Sequence, residues 1–125
     1  MNNLTRHVEP HVIALALDQS FNAVLLTDAS TGKDGHRIVY VNEAFRRMTG
    51  YSEQELLGRN PRMLQGAGTN PDVIDRLREC LREGTYFHGS TVNYRKDGRP
   101  YTVEWNISPV RNSAGEITHF ISVQQ

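Results

Sequence analysis

The C-terminal third of the chain constrains the fold most. Three strand-like runs, Phe87 to Arg95, Pro100 to Ser108 and Glu116 to Gln124, follow one another directly. Lys96-Asp97-Gly98 and Asn112-Ser113-Ala114-Gly115 are the turns between them. Short turns of this composition mark strands in hairpin succession. Upstream, the apolar run Ala23 to Leu26, ending at Thr27-Asp28, and the run Ile38 to Val41 read as two more strands. The glycine-containing segment Ala29 to His36 forms a hairpin-type loop between them.

Helical signals fill the middle. Asn42 is placed to cap a helix that Gly50 ends. Ser52-Glu53-Gln54-Glu55 matches a capping box. Asn60-Pro61 pairs an Asn cap with proline at the first helical position, and Asn70-Pro71-Asp72 repeats that arrangement. The helix opened at Asn70 places Val73, Ile74, Leu77 and Leu81 on one face, and Gly84 stops it. Near the start, Leu4, Val8, Val12 and Leu15 recur at amphipathic spacing, with Pro10 expected to kink or split that helix. Its apolar stripe needs a cover, either the domain's own sheet or a second subunit. The order predicts an α+β domain: a five-stranded antiparallel sheet, short helices on one face and an N-terminal amphipathic helix. The expected division is an N-terminal helical cap over 1–21 and a single domain over 22–125.

Composition narrows the function. The chain has 125 residues, enough for one domain with a useful core. Lysine plus arginine balance aspartate plus glutamate at 14 each, which gives no support for nucleic acid or an anionic membrane as the main partner. No apolar run is long enough to span a bilayer, and no signal-peptide pattern opens the chain, so a cytoplasmic location is expected. Cys80 is the only cysteine. It rules out an intramolecular disulfide and reads as a small, partly buried helix residue. The five histidines, His7, His11, His36, His88 and His119, show no paired metal-site spacing, and no metal site is expected. No serine-histidine pair, paired carboxylates or phosphate-loop glycines suggest an enzyme.

The element order resembles that of a PAS domain from about Asn22 to the end. The stretch Gly58-Arg59-Asn60-Pro61-Arg62-Met63-Leu64-Gln65-Gly66 resembles the signature of the light-oxygen-voltage (LOV) flavoproteins within that superfamily. The resemblance implies a flavin site. A flavin presents an edge of alternating acceptors and donors, apolar ring faces and a phosphate tail. Side-chain amides suit the edge, and arginine forks suit the phosphate. By family position, Asn60 would lie beside the ribityl chain and ring. Arg62 and Arg78 would hold the phosphate, and Gln65 would contact the tail. Asn93 would meet the pyrimidine edge, and Gln124 would report the flavin's redox state to the sheet. Leu25, Thr27, Leu64, Ile74, Trp105 and Phe120 would line the pocket.

Three departures qualify that implication. Where the family places its adduct-forming cysteine, this chain has Pro61, which has no nucleophile. PAS domains of bacterial signalling proteins that do not sense light commonly carry Asn-Pro-Arg at this place. The family's second edge asparagine is Val103 here, and the phenylalanine after the cysteine's neighbour is Met63. The resemblance therefore implies a sensory domain that binds FMN, with FAD as alternative. It would signal by flavin redox change or photoreduction, with Trp105, Tyr94 or Tyr101 as electron donor. It further implies a homodimer and an output module beyond the last strand, in a larger bacterial signalling protein. Haem is not expected, because no histidine lies on the helix from Pro71 to Glu83. A cofactor-free dimerisation and relay module is the alternative from a different class, and a pocket for another metabolite is a third reading.

Overall fold

In the computed structural model, residues 9–33 and 35–125 are described. Among the described residues the first helix, α1 (Pro10–Asp18), starts where the kink was expected. Glu9 is extended and Pro10 takes the first helical position, where a missing N–H breaks no bond. Leu4 and Val8, the first half of the expected amphipathic pattern, lie outside the described residues.

Five strands form one antiparallel sheet: β1 (Ala23–Asp28), β2 (Ile38–Val41), β3 (Phe87–Tyr94), β4 (Pro100–Arg111) and β5 (Ile117–Gln124). Their order is β2-β1-β5-β4-β3, so the last strand inserts beside the first. The β4–β5 hairpin runs further than the sequence suggests. The Asn112 side chain accepts from the Ala114 and Glu116 N–H groups at 2.9 and 3.0 Å, closing the turn tightly enough for pairing to reach Arg111.

The helices α2 (Glu43–Thr49), α3 (Glu53–Leu56) and α4 (Pro71–Glu83) and a 3₁₀ turn (Pro61–Leu64) connect β2 to β3. Their caps are those expected. The Ser52 and Glu55 side chains form the reciprocal box, and Gly50 and Gly84 end α2 and α4 in the left-handed conformation. Asn42 does more than cap. It is fully buried and satisfies both ends of its amide. Its oxygen accepts from the Val24 and Phe45 N–H groups, and its nitrogen donates to the Leu17 and Asn22 carbonyls, all at 2.8–3.0 Å. One side chain thereby ties α1, β1 and α2 together.

Apolar side chains gather in two clusters. Ala23, Leu25, Ile38, Val41, Ala44, Phe45, Leu56 and Leu64 form one, between β1, β2 and the short helices. Phe87, Val103 and Trp105 form the other, covered by Val73, Leu77 and the partly buried Cys80 of α4. The space that separates them is the site.

Candidate functional site

Strand alternation aims the site. Leu25 and Thr27 on β1, Phe120, Ser122 and Gln124 on β5, Trp105 and Ile107 on β4, and Asn93 on β3 leave the same face of the sheet. α4 faces them with Ile74, Leu77, Arg78, Leu81 and Arg82, and the 3₁₀ turn closes one side with Asn60 to Arg62, Leu64 and Gln65. Between them lies a cavity of about 620 Å³, a size suited to a drug- or cofactor-sized ligand. All eleven candidate binding residues line it: Thr27, Asn60, Arg62, Leu64, Gln65, Ile74, Arg78, Asn93, Trp105, Phe120 and Gln124. Leu25 lines it too, and so does Pro61.

The walls grade from apolar to charged. Leu25, Leu64, Ile74, Trp105 and Phe120 are buried, whereas Arg62, Arg78 and Arg82 are exposed and form the solvent end. Asn60 and Arg62 are already engaged within the chain. The Asn60 oxygen accepts from the Arg62 N–H at 2.9 Å, and its nitrogen donates to the Gly35 carbonyl at 2.7 Å. The Arg62 guanidinium donates to the Lys33 carbonyl. Among the described residues, Arg78 makes a loose contact with Asp75, at 3.9 Å.

At the buried end the amides behave differently. Gln124 is 5% exposed. Its nitrogen donates to the Ser122 hydroxyl at 3.2 Å, and its oxygen is buried with no partner among the described residues. A buried acceptor in that state is costly unless a ligand supplies the donor. Asn93 faces the cavity with Tyr101 directly across the ladder.

Of the three suggested electron donors, only Trp105 lines the cavity. The Tyr94 hydroxyl accepts from the Gly68 N–H instead. Tyr101 packs against the second cluster, where burial raises its pKa against the opposing pull of Asn93 and Arg95. Val103 is fully buried in the second cluster and does not reach the cavity.

Sequence reasoning missed His36, Arg82 and Ser122. His36 packs edge-on against Phe120, with ring centroids 5.1 Å apart, and its Nδ1 donates to the Asp28 carbonyl at 3.0 Å. Arg82 follows Arg78 by one helical turn, a spacing that could have revealed it. Ser122 follows the inward alternation of Phe120 and Gln124, a signal equally open to reading. A second concavity of about 400 Å³ is lined by Arg47, Arg95, Lys96 and Arg99. Its cations are bonded to Glu43, Glu55, Asp97 and the Met48 carbonyl, so it offers little unpaired charge. Among the described residues no helix is long and apolar enough to cross a membrane.

The PAS domain profile matches residues 22–125. The chain is 38% identical over 109 residues to phototropin-1A of Oryza sativa subsp. japonica, covering 87% of this chain and 11% of the phototropin. It is 39% identical over 87 residues to a blue-light-activated histidine kinase of Brucella anthropi, covering 70% of this chain and 18% of the kinase. It therefore spans less than a fifth of either relative's length. Among solved structures, an RNA-binding light-oxygen-voltage receptor superposes with a TM-score of 0.85 at 36% identity, over 93% of this chain and 32% of the receptor. A light-oxygen-voltage domain studied with a flavin analogue superposes with a TM-score of 0.82 at 32% identity, over 94% of this chain and 84% of that one.

Proposed function

This chain belongs to the PAS domain family, and from that premise we propose that it is a flavin-binding sensory domain of the LOV type that signals without a cysteinyl adduct. The observation that carries the reading is the Gln124 amide. It is buried at the cavity wall with one end held and an acceptor oxygen left without a donor among the described residues. The similarity to blue-light receptors and to a domain studied with a flavin analogue supports the same ligand class.

Asn93 and Gln124 would meet the polar ring edge, and Leu25, Leu64, Ile74, Trp105 and Phe120 would pack on its faces. Asn60 and Gln65 would flank the ribityl chain, Arg62 and Arg78 would take the phosphate, and Thr27 would complete the wall. FMN is favoured because two guanidinium groups at the solvent end suit a terminal phosphate. FAD could pass out beside the same arginines. A bound flavin would supply a ring nitrogen that accepts a hydrogen bond when oxidised and donates one after taking up electrons and a proton. Gln124 would answer by exchanging its nitrogen for its oxygen, and β5 would carry the change outward. Trp105, at the cavity wall, is the electron donor best placed for photoreduction.

The relatives are many times longer, which supports a place in a larger signalling protein that also carries an output module. Val12, Leu15 and Phe21 are 46%, 57% and 100% exposed, and this apolar strip is the proposed face of a homodimer.

An absorbance spectrum of the purified protein, with mass identification of any released ligand, tests the assignment. A flavin spectrum is the expected result. A colourless protein that cannot be reconstituted with FMN or FAD would overturn it. One observation favours the second reading, a cofactor-free relay module: Asn60 and Arg62 already satisfy each other and the loop before β2.

A further inference from the structure

We propose that Ser122 is a positioning residue that lets Gln124 hold either of two opposite amide orientations. The inference rests on the flavin reading, because it concerns how Gln124 answers a ligand atom that changes from acceptor to donor.

Ser122 and Gln124 stand two residues apart on β5, so both side chains leave one face of the sheet. They are 4% and 5% exposed. The Gln124 Nε2 donates to the Ser122 Oγ at 3.2 Å, and Oε1 has no partner among the described residues. One end of the amide is held, and the other is open.

The holding group is a hydroxyl, which accepts and donates at the same atom. A half-turn of the amide would put Oε1 on the Ser122 hydroxyl proton and bring Nε2 to the open side. Ser122 makes one bond to the amide in both arrangements. With Oε1 open, the site receives a ligand N–H; with Nε2 open, it receives a ligand acceptor. A backbone carbonyl or N–H in the same place would serve one orientation only.

The surroundings leave this task to Ser122. Across the ladders, Gln124 lies beside Ala23 and Trp105, and Ser122 lies beside Leu25 and Ile107. These neighbours are apolar apart from the indole N–H. Without the hydroxyl, the inner end of the amide is buried and unpaired in either orientation. The side chain then has no fixed pair of states for the ligand to choose between.

The test uses protein labelled with ¹⁵N-glutamine and reconstituted with FMN. Side-chain amide resonances are recorded oxidised and again after reduction with dithionite. The chain has five glutamines, and Gln124→Leu identifies the Gln124 signal by its loss. The wild-type Gln124 resonance should move by more than its linewidth on reduction. Ser122→Ala should cut that movement at least by half, with flavin affinity falling about tenfold or less. Ser122→Thr, which keeps the hydroxyl, should restore the movement, and Ser122→Gly is a second hydroxyl-free variant should the alanine form fail to fold.

A full-sized movement in a hydroxyl-free variant overturns the proposal, as does a threonine variant that behaves like alanine. Wild-type protein that binds flavin but shows no movement also overturns it, while leaving the flavin assignment standing. Absence of flavin uptake, seen first in the visible spectrum, defeats the parent assignment and this proposal together.

Discussion

The Tyr94 hydroxyl accepts the Gly68 N–H at 2.7 Å, and its ring fills the space where a side chain on Gly66 would stand. Edge strand β3 is thereby bonded to the loop that runs from Gln65 to α4. A Cβ on Gly66 would meet the Tyr94 ring at 2.5 Å, so Gly66→Ala must displace the ring or the loop. It should cost about 1–3 kcal/mol, the range for overpacking a fitted contact, measured by urea unfolding. Full stability in Gly66→Ala would show that the ring moves freely.

Asn42 bonds four backbone groups, in α1, β1, α2 and the Asn22 segment between them; without it, among the described residues, only the Leu17 carbonyl keeps another donor, the Ser20 N–H. Asn42→Ala should destabilise the domain by about 3 kcal/mol or more. Chemical denaturation is the measurement. A loss below about 1 kcal/mol would mean that water replaces the amide.

Pro61 lines the cavity at the first position of its 3₁₀ turn, where any residue with an N–H is also tolerated. Pro61→Cys would place a thiol where the LOV resemblance puts its reactive cysteine. In FMN-loaded protein, blue light should then cause a reversible loss of the flavin's blue absorption that the Pro61 form lacks. An unchanged light response in well-folded, FMN-loaded Pro61→Cys protein would place the ring elsewhere in the cavity.

Arg62 and Arg78 are assigned to a phosphate, so their removal should matter for FMN and not for riboflavin. Each Arg→Ala change should weaken FMN binding by about tenfold to a hundredfold, the worth of a charge-assisted bond. Riboflavin affinity should stay within about threefold, since that ligand lacks the phosphate that a charge-assisted bond of this kind requires. Fluorescence titration separates the two. Equal losses for both ligands would point to the arginines shaping the cavity instead.

Asp28 links β1 to the loop before β2. Burial pushes its carboxyl pKa up, but bonds from the Arg37 N–H and the Ser30 hydroxyl and N–H outweigh that push. The net value lies below the ordinary 3.8. A depressed carboxyl stabilises the fold fully above its unfolded value and loses that contribution as pH falls through the folded one. Asp28→Asn should therefore be less stable than the parent at pH 7, with the gap closing as the pH drops below about 4. Denaturation midpoints across that range provide the check, and a gap independent of pH would rule out the charge as its source.

Local chemistry was legible wherever neighbours in sequence are neighbours in space. The Asn-Pro pairs at 60–61 and 70–71, the Ser52–Glu55 box and the glycine stops at 50 and 84 act within a single turn, so residue types alone announce them. Asn60 shows the limit of this. Its capping role could be read from the chain, whereas its bond to Gly35 could not, because 25 residues separate the partners. Pro10 is local in the way the caps are: it takes the first position of α1, where its missing N–H breaks no bond. Val103 and Trp105 share a strand face, but only packing decides that Trp105 reaches the cavity while Val103 fills the core beside it.

The amino-acid order by itself determined the strands, caps and turns, the family and a roster of amides and guanidinium groups, because periodicity and capping depend on short-range sterics and hydrogen bonding. Tertiary structure alone decided that β5 inserts between β1 and β4, and that insertion carries Gln124 to a common cavity with Asn93 and Arg78. It also decided which polar atoms stay unpaired there, since a hydrogen-bond deficit exists only once folding has excluded water and chosen every neighbour.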